Sequence, residues 1–320
     1  MAGSDGSGAP GATETPEDGV VVAGVRRSFG TAEALRGVDF TAAFGEVTGM
    51  VGPNGAGKTT LLLILATLLA PDEGSVRISG LDPLTHTADV RRLLGWVPDV
   101  FGFYENLTVR EYLVFSGEAR SLPRRLAAER AAALLELVRM TELADRPVHV
   151  LSRGQKQRLA FASALVHEPT VLLLDEPTAG LDPSSRAEFM RLVRTLTERG
   201  TAVVVSSHLL GDLEQMADHV VFIDRGVTVG ERRMDEPSGA RTLRTWRIRS
   251  LDDRRLTTTL AELGAEVTSS GPRGVDIVLE SDAAAATLIA GLVGAGVPVV
   301  SCGPVETSLE ATYFELTVPE

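Results

Sequence analysis

A chain of 320 residues is long enough for about two domains, and 44% hydrophobic residues can bury full cores, which excludes a globally disordered protein. The formal charge of −12 argues against a general affinity for nucleic acid, and one cysteine, Cys302, excludes an internal disulfide and fits a reducing compartment. No stretch reaches the roughly 20 apolar residues of a membrane span and the N-terminus lacks a charged-then-apolar signal, so the chain by itself is expected to be soluble and cytoplasmic.

Residues 1–18 are Gly, Ala, Ser, Pro and acidic residues without apolar periodicity and read as a disordered tail. Strands are predicted at 20–29, 34–42, 46–51, 75–79 and 94–97, with a helix over 61–69. From 108 to about 166 the pattern becomes helical, with helices at 107–117, 126–140 and 155–166. Strands return at 170–174, 201–206, 219–224 and 227–230, separated by helices at 183–198 and 209–217. This is a mixed α/β core with a helical subdomain inserted in its middle. A charged, Pro- and Gly-containing linker follows. Beyond it, short strands and two helices in the order β-α-β-β-α-β predict a small ferredoxin-like α+β domain, closed by a last helix near 309–316.

The stretch Gly52-Pro53-Asn54-Gly55-Ala56-Gly57-Lys58-Thr59-Thr60 fills every position of the G-x-x-x-x-G-K-S/T loop, between a strand and a helix as that motif requires. Its glycines permit backbone shapes that turn successive N–H groups toward phosphate oxygens, and the following helix adds its positive end. Lys58 is suited to the β- and γ-phosphates, and Thr59 to Mg²⁺. The only lysines are Lys58 and Lys156 in a chain that otherwise writes its positive charge as Arg, so a compact ammonium is kept where it fits.

Downstream, the apolar run Val171-Leu172-Leu173-Leu174 reads as a buried parallel strand ending in Asp175 and Glu176. Beside a phosphate loop, Asp175 suits a Mg²⁺ anchor and Glu176 suits a base for water. Standing alone, the pair also reads as two acids before a Pro turn. Leu151-Ser152-Arg153-Gly154-Gln155 alone reads as a helix cap, and His208 alone as a loop histidine.

Together, in this order and spacing, these elements with Ala179-Gly180-Leu181-Asp182 resemble the ATP-binding subunits of ABC transporters, over about residues 19–232. Pro98-Asp99, the C-terminal domain and the run 307–317 resemble, more narrowly, the daunorubicin-resistance type of exporter ATPases. The resemblance implies a P-loop NTPase with a RecA-like core, an antiparallel β-subdomain and a helical subdomain at about 99–166. A linker at 233–243 and an accessory α+β domain at 244–320 would follow. It implies ATP and Mg²⁺ as ligands. Phe29 would stack on adenine, and Asn54, Gly55, Ala56, Gly57, Lys58, Thr59 and Thr60 would cradle the phosphates. Ser152, Gly154 and Gln155 would cover ATP held by a second copy in a head-to-tail dimer, with Asp182 at the seam. Glu176 would be the general base, His208 would contact the γ-phosphate, and Thr59, Asp99 and Asp175 would serve the metal. A multi-span permease would be the obligatory partner, holding the chain at the inner face of the membrane, with residues 99–107 as the docking surface.

Two departures stand out. Asp99 replaces the commoner Gln, which keeps an acceptor for Mg²⁺ and loses a donor. Arg153 replaces the commoner Gly, so this position needs no positive φ, and little effect on ATP binding is expected. The alternatives are a soluble ABC-type ATPase acting on ribosomes or DNA, and a nucleotide-gated regulator. The absence of a second phosphate loop and of heptads weighs against the former, and no nucleic acid is expected as partner.

Overall fold

The computed structural model describes residues 18–234, 244–271 and 274–304, together with 309, 312, 313 and 316. The chain forms two compact units, residues 1–234 and 235–320.

The first unit begins with β1 (Asp18–Phe29), β2 (Ala32–Ala43), β3 (Val47–Val51), α1 (Lys58–Leu65), β4 (Glu73–Ile78), α2 (Thr87–Leu93) and β5 (Leu94–Val97). The helical insert follows as α3 (Val109–Ala119), α4 (Arg124–Leu137) and α5 (Arg153–Leu165). The unit ends with β6 (Val171–Asp175), α6 (Pro183–Thr197), β7 (Ala202–Ser206), α7 (Leu210–Met216), β8 (His219–Asp224) and β9 (Val227–Arg233).

Two sheets result. An antiparallel one has the order β2-β1-β4, and a six-stranded one the order β5-β6-β7-β3-β8-β9, parallel except for β9 at its edge. Every residue of β3, β6 and β7 is buried, which is why these strands read as unbroken apolar runs. Helix α1 packs into the core between the sheets, where Leu61 and Leu65 meet Val20, Phe40, Leu173 and Val204. The register pairs Ser206 with both Met50 of β3 and Asp175 of β6, so the phosphate loop and the acidic pair emerge at the same carboxyl edge.

In the insert, Thr108 and Glu111 form a capping box that starts α3. Gly117 lets α3 meet α4 closely, since a Cβ there would lie 2.8 Å from the Ala127 methyl.

Two local features differ from the sequence expectation. Helix α1 stops at Leu65 rather than near Leu69, because Thr67 adopts φ 61° and the Thr67 and Leu68 N–H groups fold back to the carbonyls of Ile64 and Leu63. Helix α2 was not predicted at all, and its Arg91 holds that turn by donating to the Thr67 hydroxyl (2.7 Å) and carbonyl (3.1 Å).

The second unit contains β10 (Arg244–Ser250), α8 (Asp253–Glu262), β11 (Val267–Gly271), β12 (Gly274–Leu279), α9 (Asp282–Gly294) and β13 (Val299–Pro304). Its antiparallel sheet has the order β11-β12-β10-β13, the ferredoxin-like arrangement expected from the element order. The core joins Trp246, Ile248, Val275 and Ile277 of the sheet to Leu256, Leu260 and Leu292 of the helices. Cys302 pairs with Ile248 as a strand residue, and burial pushes its thiol pKa up. Residues 309, 312, 313 and 316 are helical. The tail to residue 17, the linker over 235–243 and the rest of the run 307–317 lie outside the described residues.

Candidate nucleotide site

The phosphate loop is shaped by what its glycines avoid. A Cβ on Gly52 would lie 2.1 Å from the Ile223 carbonyl oxygen, and one on Gly57, at φ 102°, would lie 2.6 Å from that of Ala34. The loop is pinned from both sides, with Ala56 N–H donating to Pro53 and Gly226 N–H donating to the Ala56 carbonyl. Helix α1 starts with no side-chain cap and no acid in its first turn, which leaves its N-terminal N–H groups free for an anion.

Lys58 is 7% exposed, and its ammonium donates to the carbonyls of Gly52 (2.7 Å) and Pro53 (3.2 Å). Burial pushes its pKa down, opposed by the negative charges of Glu176 and Asp175. Those charges act on Lys58 because the register of β3, β6 and β7 brings all three residues to one edge.

Asp175 is buried, and its Oδ1 accepts from the Ser206 hydroxyl at 2.5 Å. Glu176 sits at φ 48°, a left-handed conformation that costs a residue with a side chain, and its N–H is held by the Ser206 carbonyl and hydroxyl, each at 3.1 Å. Its Oε2 accepts from the His208 ring Nδ1 at 2.7 Å and from the His208 backbone N–H at 3.3 Å. A carboxylate can only accept, so Nδ1 carries the proton. Glu176 and His208 are therefore one hydrogen-bonded unit.

The other predicted residues divide. Phe29 is half exposed at the end of β1, with the Arg27 guanidinium 5.1 Å from its ring centroid, so one ring face is covered and one is open for stacking. Arg27 is itself fixed by Asp72 at 2.5 Å. Ser152 and Gln155 form a capping box at the start of α5. Gly154 faces Leu181, and the Arg153 side chain lies against Gly180, where a Cβ would be 3.1 Å from its Nε. Arg153 is the first helical residue and has no positive φ, as expected. Asp182 caps α6 and accepts from Ser184 and Ser185. The Ser185 hydroxyl, at 2.6 Å, is the main reason its pKa is held below the usual carboxylate value. Among the described residues, no hydrogen bond or ion pair links Ser152, Gly154 or Gln155 to the phosphate loop of the same chain. Asp99 is exposed and has no bonded partner among the described residues.

A magnesium ion bound with nucleotide fits this arrangement. Asp175 has one oxygen taken by Ser206 and a second left over, and the exposed Thr59 hydroxyl has no partner among the described residues. Few protein oxygens beside a phosphate loop is the donor set Mg²⁺ prefers, with phosphates and water completing it. No cluster of three His, Cys, Asp or Glu exists among the described residues to form an all-protein metal cage.

Residues 35–179 match the ABC transporter family. The daunorubicin resistance ATP-binding protein DrrA3 of Streptomyces coeruleorubidus is 39% identical over 217 residues, covering 68% of this chain and 69% of that protein. The chain belongs to the ABC transporter ATP-binding family. As an ABC ATP-binding protein it is an ATPase of the P-loop class. The linearmycin resistance ATP-binding protein LnrL of Bacillus subtilis is 35% identical over 202 residues, which span 63% of this chain and 65% of that relative. Among solved structures, an ATP-binding subunit of an ABC transporter matches with TM-score 0.63 and 26% identity over 68% of this chain and 90% of its own. The dimeric bacterial ABC transporter cassette MJ0796 matches with TM-score 0.62 and 27% identity over 68% of this chain and all of its own.

Two contributors to this ABC site escaped the sequence. Ser206 joins Asp175 and Glu176, and the only signal was a hydroxyl where an apolar strand ends. The contact between Arg153 and Gly180 ties the start of α5 to the Ala179–Asp182 segment, and no local pattern announces it.

Proposed function

We propose that this chain is the ATP-hydrolysing subunit of an exporter, acting as a head-to-tail homodimer on a multi-span membrane partner at the inner face of the membrane. One observation carries the reading: Lys58, Asp175, Glu176 and His208 converge at the carboxyl edge of the sheet, while among the described residues the Ser152–Gln155 cap makes no bond to that edge in its own chain. A complete site then needs the cap of a second copy.

In that dimer, Lys58 exchanges the Gly52 and Pro53 carbonyls for phosphate oxygens, which relieves its desolvation. Bound Mg²⁺ would neutralise phosphate charge, held through Thr59 and Asp175, with Asp99 near it. Phe29 offers its open face to adenine. Glu176 accepts a proton from the attacking water, and the His208 ring N–H either holds that carboxylate in place, as in this structure, or turns to donate to the γ-phosphate once nucleotide is bound. The N-terminal N–H groups of α5 cover the nucleotide from across the dimer, beside Asp182 at the seam. Hydrolysis splits the shared ATP into ADP and phosphate, which breaks the link between the copies, and they part.

The surface leading into the insert supports a membrane partner. Among the described residues no helix is long and apolar enough to cross a membrane. Phe103 packs against Phe101 with the rings tilted and edge to face against Tyr112, and Tyr104 packs edge to face against Phe115. Val100 is 82% exposed and Tyr104 60%. This aromatic patch at 100–115 would receive a short helix of the permease. The relatives' names support an antibiotic as the cargo class, selected by the permease.

The test is a trap. Tagged Glu176→Gln chain, purified from gently solubilised membranes with MgATP, is expected to bring down a multi-span membrane polypeptide, with turnover reduced by about 10²-fold or more. Recovery of ribosomes or DNA instead would overturn the exporter reading, and unchanged turnover would remove Glu176 as the base.

A further inference from the structure

Ser206 ends β7 with no exposed surface, after Ala202-Val203-Val204-Val205. Nothing in a buried parallel strand calls for a hydroxyl at that point, since such strands are filled by apolar side chains. The Ser206 hydroxyl is nevertheless engaged twice. It donates to Asp175 Oδ1 at 2.5 Å and accepts from the Glu176 N–H at 3.1 Å. That N–H also reaches the Ser206 carbonyl at 3.1 Å, so two acceptors on one residue hold Glu176 at φ 48°. Two residues further on, His208 returns to bond the Glu176 carboxylate.

We propose that Ser206 is a positioning residue for the ATPase reaction, whose hydroxyl sets the cation-anchoring carboxylate of Asp175 and the peptide of Glu176 together. With Oδ1 occupied by Ser206, the free Asp175 oxygen is Oδ2, and the carboxylate is locked in one orientation toward Mg²⁺ or a water on it. The same hydroxyl pins the backbone from which the Glu176 side chain springs, so the base is aimed by a bond to the residue that aims the anchor. A group of this kind, one bond removed from a metal ligand, is worth about 10- to 100-fold in metal affinity or activity. The inference rests on the reading of Asp175 as the Mg²⁺ anchor and Glu176 as the base.

The test compares Ser206→Ala with the parent in the full chain. Binding of Mn²⁺ is measured by electron paramagnetic resonance in the presence of a non-hydrolysable ATP analogue, alongside ATP turnover and metal-free ATP binding. Ser206→Ala is expected to weaken Mn²⁺ binding and slow turnover, each by about 10-fold, while metal-free ATP binding stays unchanged. The pair Ser206→Thr and Ser206→Val guards against a mere packing defect, because both add the same bulk and only Thr keeps the hydroxyl. Thr is expected to exceed Val by about 10-fold in Mn²⁺ affinity. Equal affinities for Thr and Val, or for Ala and the parent, overturn the proposal. Asp175→Asn separates the two failures: if it weakens Mn²⁺ binding while the Ser206 variants do not, the role of Ser206 alone falls. If Asp175→Asn leaves Mn²⁺ binding intact as well, the underlying reading of the anchor falls with it.

Discussion

His167 offers a sharp test of the electrostatics where the helical insert joins the core. Its Nε2 lies 3.0 Å from the Leu94 carbonyl, which can only accept, so that nitrogen carries the hydrogen. Nδ1 is buried without a partner among the described residues. The Arg120 guanidinium stands 3.3 Å from the ring and donates to the Arg91 and Leu94 carbonyls. Burial first, and then Arg120, push the imidazole pKa from 6.5 down to about 4, against the pull of the Leu94 carbonyl. Between those values the unfolded chain binds a proton and the folded chain does not. The neutral ring's contribution to stability is therefore full above pH 6.5 and is lost as the pH falls through about 4. At about 1.4 kcal/mol per pH unit the upper bound is near 3 kcal/mol, and solvent screening of this half-buried ring brings it to about 2 kcal/mol. His167→Gln keeps an N–H for Leu94 and titrates nowhere in this range, so other acid-linked groups cancel in the comparison. Urea unfolding of the first unit can be followed by Trp96 fluorescence in a Trp246→Phe background, since the chain has only 2 tryptophans and Trp96 lies on β5. Between pH 7 and pH 4 the parent is expected to lose about 2 kcal/mol more than His167→Gln. Parallel pH profiles would refute the assignment of a neutral, strained imidazole.

The remaining expectations concern the nucleotide site. Lys58→Met removes a charge whose desolvation outweighs the pull of Glu176 and Asp175, so the nucleotide-free melting temperature should hold or rise while the MgATP-induced increase disappears. An intact MgATP shift would show that Lys58 does not bind phosphate. Gly57→Ala combines a φ of 102° with a 2.6 Å approach to the Ala34 oxygen, and should destabilise the first unit by about 2 kcal/mol and abolish ATP binding in a filter assay. Asp99→Gln restores a donor while keeping an acceptor, and is expected to raise turnover with Mg²⁺ dependence retained. If neither quantity moves, Asp99 is a bystander.

Much of this was legible because the chemistry is local. The phosphate loop needs its glycines, its Lys and its Thr within nine consecutive positions, and β6 needs an unbroken apolar run ahead of Asp175 because it is buried on both faces. The insert was readable from helical periodicity. The end of α1 was not, since Thr67 takes a left-handed conformation that its own residue type disfavours, and Arg91 from an unpredicted helix is what secures it. Arg153 was recognised as a departure, yet its contact with Gly180 depends on how α5 meets the turn before α6, which no local pattern encodes.

Ser206 shows why the rest was hidden. Its partners lie 30 and 31 residues away, and what joins them is the parallel register that sets Ser206 opposite Asp175 on one side and Met50 on the other. Side chains alternate along a strand, so the slip of β7 by one residue that brings Val205 opposite Asp175 would turn the Ser206 hydroxyl to the other face. Asp175 would then lose its donor, Glu176 would lose an acceptor for its N–H, and His208 would be displaced along the strand direction by about 3.3 Å. Val203, Val204 and Val205 are identical, so they specify burial of β7 better than they specify its register. The Ser206 hydroxyl, with a buried carboxylate to satisfy, adds the polar term that distinguishes this register from the one that sets Val205 opposite Asp175. The bond that aims the acidic pair is thus also a bond that selects the strand alignment on which the pair depends.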